Sequence, residues 1–379
     1  MIYNISINAA AFYYFFYILL FMIPITYIIN REFTFYAIFV INIMWPEKGN
    51  LCISADRCIS INCSTKGGGS VLDEVVRQSW LYGRGFLLHG KVADYIPELS
   101  KANPVYLGIS IKTLSGETIE FGDVTHRFTI QSISKVITLA MALEKLGYDE
   151  VFTHVMMEPS GDSFNSILKL DTASNRPYNP MINAGAIDVI GLLAPVCDFD
   201  ELLAFSRKLC QDDEITMDYD VYHSESITGD RNRAIGYLLK SKGVLAGDAL
   251  AAVDLYIRMC SLSVTAKSLA GLGQVLAAGG VIPETEERVL SANTVRVIQT
   301  LMFTCGMYDR SGELAVRVGI PSKSGVGGGI MSCVTDRMGI GIYGPSLDDK
   351  GNSIGGANML EYLSKELRLH VFDAGRMIW

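Results

Sequence analysis

Between Val71 and His370 the segments that read as β-strand fall only near the two ends, and the long stretch between them carries helical spacing. Near the start, Val105–Lys112 and Glu117–Gly122 are strand-like and flank Thr113-Leu114-Ser115-Gly116, a run with hairpin-turn composition. Near the end, Leu314–Val318, Gly328–Val334 and Met338–Tyr343 return to β character. Helices are expected over Ser132–Leu146, Glu201–Leu209, Arg231–Lys240, Ala249–Cys260 and Thr265–Ala277, with one more opening the region at Val71 and another closing it over Ile354–His370. Strands supplied by both ends imply one shared sheet, because each needs an apolar face covered. The expected fold is therefore of α/β character, α+β in type: a mixed sheet from both ends of the domain, flanked by helices, with an inserted all-helical lobe. The α/β lobe takes residues 71–130 plus 305–379 and the helical lobe 131–304. No internal repeat is visible.

Residues 1–70 differ in kind. From Met1 to Trp45 only Arg31 and Glu32 carry charge, and Ala9–Ile29 is 21 residues long without one. At roughly 1.5 Å per residue such a run can cross about 30 Å of hydrocarbon as a helix. No Lys or Arg precedes it, which argues against a cleaved signal peptide, and the Arg31-Glu32 pair leaves the positive-inside rule without a direction. The segment reads either as a membrane anchor over residues 9–29 or as translated upstream sequence without a selected structure. Leu51–Ser70 ends in a Gly/Ser linker; Cys52, Cys58 and Cys63 lack CxxC spacing and a nearby His, so they do not form a zinc knuckle.

The net charge of −8, from 32 Lys plus Arg against 40 Asp plus Glu, disfavours a nucleic-acid partner. Eight irregularly spaced cysteines suit free thiols in a reducing compartment, so the cytoplasm is the default location, with membrane attachment only if residues 1–45 are a genuine anchor. The five histidines lie in unrelated strings and suggest no triad, and Asp212-Asp213 reads as a solvated turn.

Ser132 and Lys135 stand one helical turn apart at the start of SISKVITLAMALEKL, so their side chains share a face. A serine hydroxyl attacking a carbonyl needs a base, and a lysine serves only when neutral. An unperturbed amine near pKa 10.4 is neutral in about one molecule in a few thousand at pH 7, so burial or positive potential must lower it. The helix N-terminus supplies such potential, and backbone N–H groups for an oxyanion. Lys323-Ser324-Gly325, just before a strand-like run, matches the third motif of penicillin-recognising serine enzymes. The intermediate element of those enzymes is sought in Tyr178-Asn179-Pro180-Met181-Ile182-Asn183, whose spacing fits imperfectly; the same string also reads as a turn leading into a helix.

Six strings in order, VADYIPELSKANP, QSISKV, RPYNPMINAGAI, TGDRNRAIGYLLKSKG, TCGMYDRSGELAVRVGIPSKSGVGGGI and LDDKGNSIGGANMLEYLS, closely resemble the serine-dependent glutaminases of the β-lactamase-like superfamily. The resemblance runs from about Val71 to His370, leaves residues 1–70 untouched and implies the short bacterial form. It implies hydrolysis of L-glutamine to L-glutamate and ammonia through an acyl-enzyme, with Ser132 as nucleophile, Lys135 as base, and no metal or other cofactor. It places Tyr95 and Tyr308 beside the reacting centre, and the Val326 backbone N–H with that of Ser132 in an oxyanion hole. It assigns Glu225 to the substrate ammonium, by its spacing of seven from Asn232, and Asn183, Asn232 and Tyr256 to the remaining substrate contacts. Asp230 and Arg231 read as a structural ion pair or a helix cap. Homo-oligomerisation, as dimer or tetramer, is also implied. Two other readings stay open at this level: a penicillin-recognising acyl hydrolase using Ser132, Lys135 and Lys323, and a catalytically silent, membrane-tethered binding protein.

Overall fold

The computed structural model describes residues 71–161, 166 and 176–373. The expectations for residues 1–70, including the anchor over 9–29, lie outside the described residues. Among the described residues no helix is long and apolar enough to cross a membrane.

The chain opens with helix α1 (Val71–Arg84), the hairpin β1 (Gly108–Thr113) and β2 (Thr118–Gly122), and the short β3 (Phe128–Thr129). There follow α2 (Ser134–Leu146), α3 (Tyr148–His154), α4 (Asn183–Leu193), α5 (Phe199–Cys210), β4 (Thr216–Met217), α6 (Tyr219–Thr228) and α7 (Asp230–Ser241). Next come α8 (Ala249–Cys260), β5 (Leu262–Val264), α9 (Ala266–Ala277), β6 (Val281–Ile282), β7 (Glu287–Arg288) and α10 (Ala292–Cys305). The chain then returns to the sheet through α11 (Ser311–Arg317), β8 (Ser322–Ser324), β9 (Gly329–Val334), β10 (Met338–Tyr343) and α12 (Ile354–Leu367).

The principal sheet has the order β2-β1-β10-β9-β8, so the two ends of the domain meet where β1 pairs with β10. That is the sheet expected from strands at both ends. All four of its pairings are antiparallel, so it is not mixed in strand direction. Both β1-β2 and β9-β10 are hairpins, and the helical lobe leaves after β2 and returns before β8, closing the β1-β10 seam antiparallel.

Period-two patterning sorts this sheet between two layers. Ile340 and Ile342 of β10 join Ile109 and Ile111 of β1 in one core with Val76 of α1 and Met359, Leu360 and Leu363 of α12. The alternate residues Gly339 and Gly341 face α9. A Cβ on Gly341 would lie 1.9 Å from the Ala266 carbonyl oxygen and one on Gly339 2.1 Å from the Gln274 nitrogen, so α9 rests directly on the strand backbone. The second core fills the helical lobe around α2, buried at every position from Ser134 to Leu143. A helix apolar on all sides belongs at the centre of a lobe. β3 carries the chain to the head of α2, with the Ile130 N–H donating to the Leu262 carbonyl at 2.8 Å.

Three expectations are corrected. The inserted lobe is not all-helical: β4 and β5, with β3, and the pair β6-β7 form two small sheets within or beside residues 131–304, because the ends of its helices pair in short extended runs. Leu314–Val318 is not a strand: α11 occupies Ser311–Arg317, held by Glu313 accepting from Arg310 and Arg317, each at 2.8 Å, one turn before and after it. Leu314 is buried and Val316 exposed, so one apolar residue per turn sufficed where β-branched content had suggested alternation. Asp212 is not a solvated turn residue either. It receives Arg127 at 3.2 Å and the Ser268 hydroxyl at 2.6 Å, tying the β3 region to the start of α9.

Candidate active site

Ser132 lies on the 3-10 turn Gln131–Ile133 that runs directly into α2. Gln131 before it holds φ +48°. For a residue with a side chain that left-handed conformation costs on the order of 1–3 kcal/mol and persists only where surroundings enforce it. The 3-10 turn and the helix put Ser132 and Lys135 on one face: the Lys135 Nζ donates to Ser132 Oγ at 2.6 Å and to the Tyr256 Oη at 3.0 Å. Lys135 is about 1% exposed. Burial lowers its pKa from the ordinary lysine value to about 8, partly offset by the negative potential of Cys260 and Glu225.

Across the cleft, Lys323 on β8 is fully buried. Desolvation first, and the Lys135 charge second, push its amine well below the usual lysine range. Its Nζ donates to the Ser324 carbonyl at 2.6 Å and lies 4.6 Å from the centre of the Tyr308 ring. Tyr308 is buried, and desolvation holds its phenol above the ordinary tyrosine value, while hydrogen bonds to Ser132 and to the Val326 backbone act the other way. Ser132, Lys135, Tyr256, Tyr308 and Val326 therefore share one hydrogen-bonded centre. Tyr95 stands at its rim. The residue is half exposed, yet its phenol is pushed up by desolvation and then by Tyr308 and Glu225 nearby.

The residues that the resemblance assigned to substrate contacts come from helix faces. On α6 only Val221 and Glu225 are buried, one turn apart, which aims the carboxylate inward. Burial raises the Glu225 pKa to about 7 against the lowering influence of Lys135 and a Gln131 hydrogen bond, and Glu225 Oε2 has no hydrogen-bond partner. Asn232 heads the buried stripe Asn232, Ile235, Gly236, Leu239 of α7, a polar residue where the helix pattern calls for an apolar one. It accepts from the Asn183 Nδ2 at 3.0 Å, and Asn183 Oδ1 is buried without a partner. Asn183 is the first residue of α4, so the Pro-Met-Ile-Asn string is a turn into a helix. Gly185 is required there, because a Cβ would lie 2.0 Å from the Asn179 carbonyl oxygen. Ile182, the residue before Asn183, lines one cavity together with Tyr308. Asp230 opens α7 and pairs with Arg233 at 2.8 Å.

Sequence reasoning passed over Gln131 and Cys260, and gave Ser324 no role beyond its place in the Lys-Ser-Gly motif. Cys260 follows Tyr256 by one turn of α8 and its thiol, pushed up to about 12 by burial, contacts the Tyr256 hydroxyl and Ser134 Oγ, the latter at 3.8 Å. Helical spacing could have found it. Ser324 Oγ is buried and unpartnered. Spacing did not flag Gln131: its Nε2 donates to the nearby Thr129 Oγ1 at 3.2 Å, but its link to Glu225 is tertiary. Among the described residues no group of three His, Cys, Asp or Glu side chains could hold a metal ion.

An antiparallel sheet built from both ends, an inserted helical lobe, Ser-x-x-Lys opening the central helix and Lys-Ser-Gly on the strand opposite place the chain in the β-lactamase-like fold class. Within that class the glutaminase family model matches residues 90–372. The sequence is 53% identical over 293 residues to "Glutaminase 2" of Clostridium perfringens, covering 76% of this chain and 96% of that protein. It is 50% identical over 305 residues to the glutaminase of Fusobacterium nucleatum, covering 79% and 100%. The solved structure of a probable glutaminase, ybaS, superposes with a TM-score of 0.76 at 40% identity over 79% of this chain and 98% of the other. That of a probable glutaminase from Bacillus subtilis complexed with 6-diazo-5-oxo-L-norleucine gives 0.73 at 35% identity over 80% and 98%. The chain belongs to the glutaminase family.

Proposed function

We propose that the protein hydrolyses L-glutamine to L-glutamate and ammonia through an acyl-enzyme on Ser132. The observation that carries this reading is the 2.6 Å hydrogen bond between Ser132 Oγ and a buried amine whose pKa has fallen to about 8. At pH 7 such an amine is neutral in about one molecule in ten, against one in a few thousand for an ordinary lysine. Lys135 accepts the Ser132 proton as Oγ bonds to the side-chain amide carbon. The oxyanion so formed receives the backbone N–H groups of Ser132 and Val326, each donor worth roughly 3 to 4 kcal/mol at the transition state. Collapse breaks the C–N bond. The leaving nitrogen takes a proton from the Lys135–Tyr308 side, Tyr95 completes the rim, and ammonia departs. Water then attacks the ester with its proton passing to Lys135, which releases glutamate and restores Ser132.

The unpartnered Glu225 Oε2 suits the substrate ammonium, and the unpartnered Asn183 Oδ1 with Asn232 and Tyr256 supplies the other polar contacts. The diazo-oxo-norleucine complex of the Bacillus subtilis relative supports an amino-acid-sized ligand in such a cleft. Ammonia release from glutamine, compared between wild type and Ser132→Ala, tests the reading. Loss of at least about 10³-fold with the fold intact is expected, and turnover near wild type in the variant would overturn the serine mechanism.

The same reading keeps residues 71–379 as the catalytic domain, divided into the lobes 71–130 plus 305–379 and 131–304. It places the protein in the cytoplasm, supported by five described cysteines that are all free and buried. It also carries homo-oligomerisation, dimer or tetramer, on the family resemblance; light scattering of the purified protein decides it.

A further inference from the structure

Tyr308 holds its backbone at φ +56°, in the left-handed region, although it is a buried aromatic residue with no freedom of the glycine kind. Such a conformation survives only when neighbouring interactions over-determine it. The turn around it supplies them. The Ser311 hydroxyl brackets the residue: it accepts from the Met307 N–H at 3.0 Å and donates to the Tyr308 carbonyl at 2.7 Å. Arg310 reaches across to Asp348, with its Nη1 donating to Oδ2 at 2.7 Å. Asp348 is itself fixed, since its Oδ1 accepts the Lys350 and Asn352 N–H groups, each at 2.9 Å. A second strut runs back the other way, from Lys350 to Asp309 at 3.1 Å. Between the struts Gly351 faces the centre: a Cβ there would meet Val326 Cγ1 at 3.5 Å and the Tyr308 ring at 3.7 Å. The loop 348–351 thus backs both the phenol and Val326, the residue of the β8–β9 turn whose N–H the phenol meets.

We infer that Ser311 and the Arg310–Asp348 pair form a positioning clip that holds Tyr308 at its left-handed backbone angle, so that the phenol stays registered between Ser132 and Val326. The inference rests on the role proposed above for Tyr308. Ser311 and Asp348 touch no reacting atom and act through the turn that carries Tyr308, and this separates a positioning role from a general contribution to stability. A misplacement of the order of 1 Å at a reacting group lowers turnover by about 10- to 100-fold.

The test is a double-mutant cycle on glutamine hydrolysis by the full chain, at a temperature where circular dichroism shows every variant folded. Ser311→Ala is expected to lower kcat by about tenfold or more with KM changed less than about twofold, and Asp348→Asn to do the same more weakly. Ser311→Thr, which keeps the hydroxyl, is expected to restore most of the loss. In the Tyr308→Phe background neither substitution should lower kcat further, because the group they position has gone. Equal loss in both backgrounds, or a Ser311→Ala enzyme with wild-type kcat while Tyr308→Phe is impaired, would overturn the clip. A Tyr308→Phe enzyme with wild-type turnover would instead overturn the role of Tyr308, and the clip with it.

Discussion

The residues proposed for proton transfer and those proposed for recognition are partnered differently. On the proton-transfer side Ser132, Lys135 and Tyr256 are hydrogen-bonded to one another in an unbroken row. On the recognition side Glu225 Oε2 and Asn183 Oδ1 are buried and unpartnered. An unpaired buried polar atom costs about 1 to 3 kcal/mol, so the recognition side is held in a state that a charged, polar ligand relieves. On the proposed reading the chemistry is organised before substrate arrives, whereas recognition is completed only by it.

The largest expected effect breaks the proton-transfer row without changing its charge. Lys135→Arg should lose about 10²- to 10⁴-fold in kcat, nearly as much as Lys135→Ala, because guanidinium stays protonated and cannot accept the Ser132 proton. An active arginine enzyme would move the base to a tyrosine. In the wild type the requirement for a neutral amine makes kcat rise with pH and level off above about 8, where Lys135 loses its proton.

Next comes Glu225→Gln on the recognition side. KM should rise about 10- to 100-fold with a smaller change in kcat, since the ammonium loses its counter-charge. The sign with pH follows from the raised pKa of about 7: the carboxylate that binds the ammonium forms as pH rises through 7, so KM falls there in the wild type and not in the variant. An unchanged KM would remove Glu225 from the substrate contacts.

Asp188 sharpens the comparison because it shares the raised pKa and lacks the ligand. It sits on α4 five residues after Asn183, both its oxygens are buried without a hydrogen-bond partner, and burial raises its pKa to about 7. The nearest charge partner, His154 Nδ1, is 4.0 Å away. Its folded pKa lies above the unfolded value of 3.8, so the folded state binds the proton more tightly. Stability from this group is full below about 4 and is lost as pH rises to about 7. Asp188→Asn should therefore stabilise the protein at pH 8 by on the order of 2 kcal/mol and do little at pH 4, with KM unchanged. Thermal denaturation at both pH values checks this; equal shifts at the two would show that the carboxylate is not protonated in the fold.

The smallest effect is expected from deleting residues 1–70. A protein starting at Val71 should hydrolyse glutamine at a rate within about twofold of the full chain and be less prone to aggregate, because an apolar, uncharged run of 21 residues favours association in water. Loss of activity would make that segment part of the enzyme. Recovery of the full chain, but not the shortened one, with membranes would establish the anchor.

Much of the fold was legible from residue patterns. α8 falls on Ala249–Cys260 as its spacing suggested, and Thr265 caps α9 with its side chain accepting the Ser268 N–H. Periodicity reports burial, and burial on one face is what forms these helices. Periodicity failed at Leu314–Val318, where ion pairs about Glu313 outweighed β-branched content, and it missed β8, three buried residues with too few positions to show a period.

At the site, sequence alone determined the pairing of Ser132 with Lys135, because one helical turn is a local distance. Asn232 was reached through the family resemblance, and its place at the head of a buried apolar stripe was shown by the fold. Only the tertiary structure decided that Lys135 is buried deeply enough to work near neutrality, that Gln131 and Tyr308 adopt left-handed angles, and that Asp348, forty residues from Tyr308, holds its turn. Desolvation and backbone strain depend on what every other element packs against a residue, and that information is carried by the folded chain as a whole rather than by any segment of it.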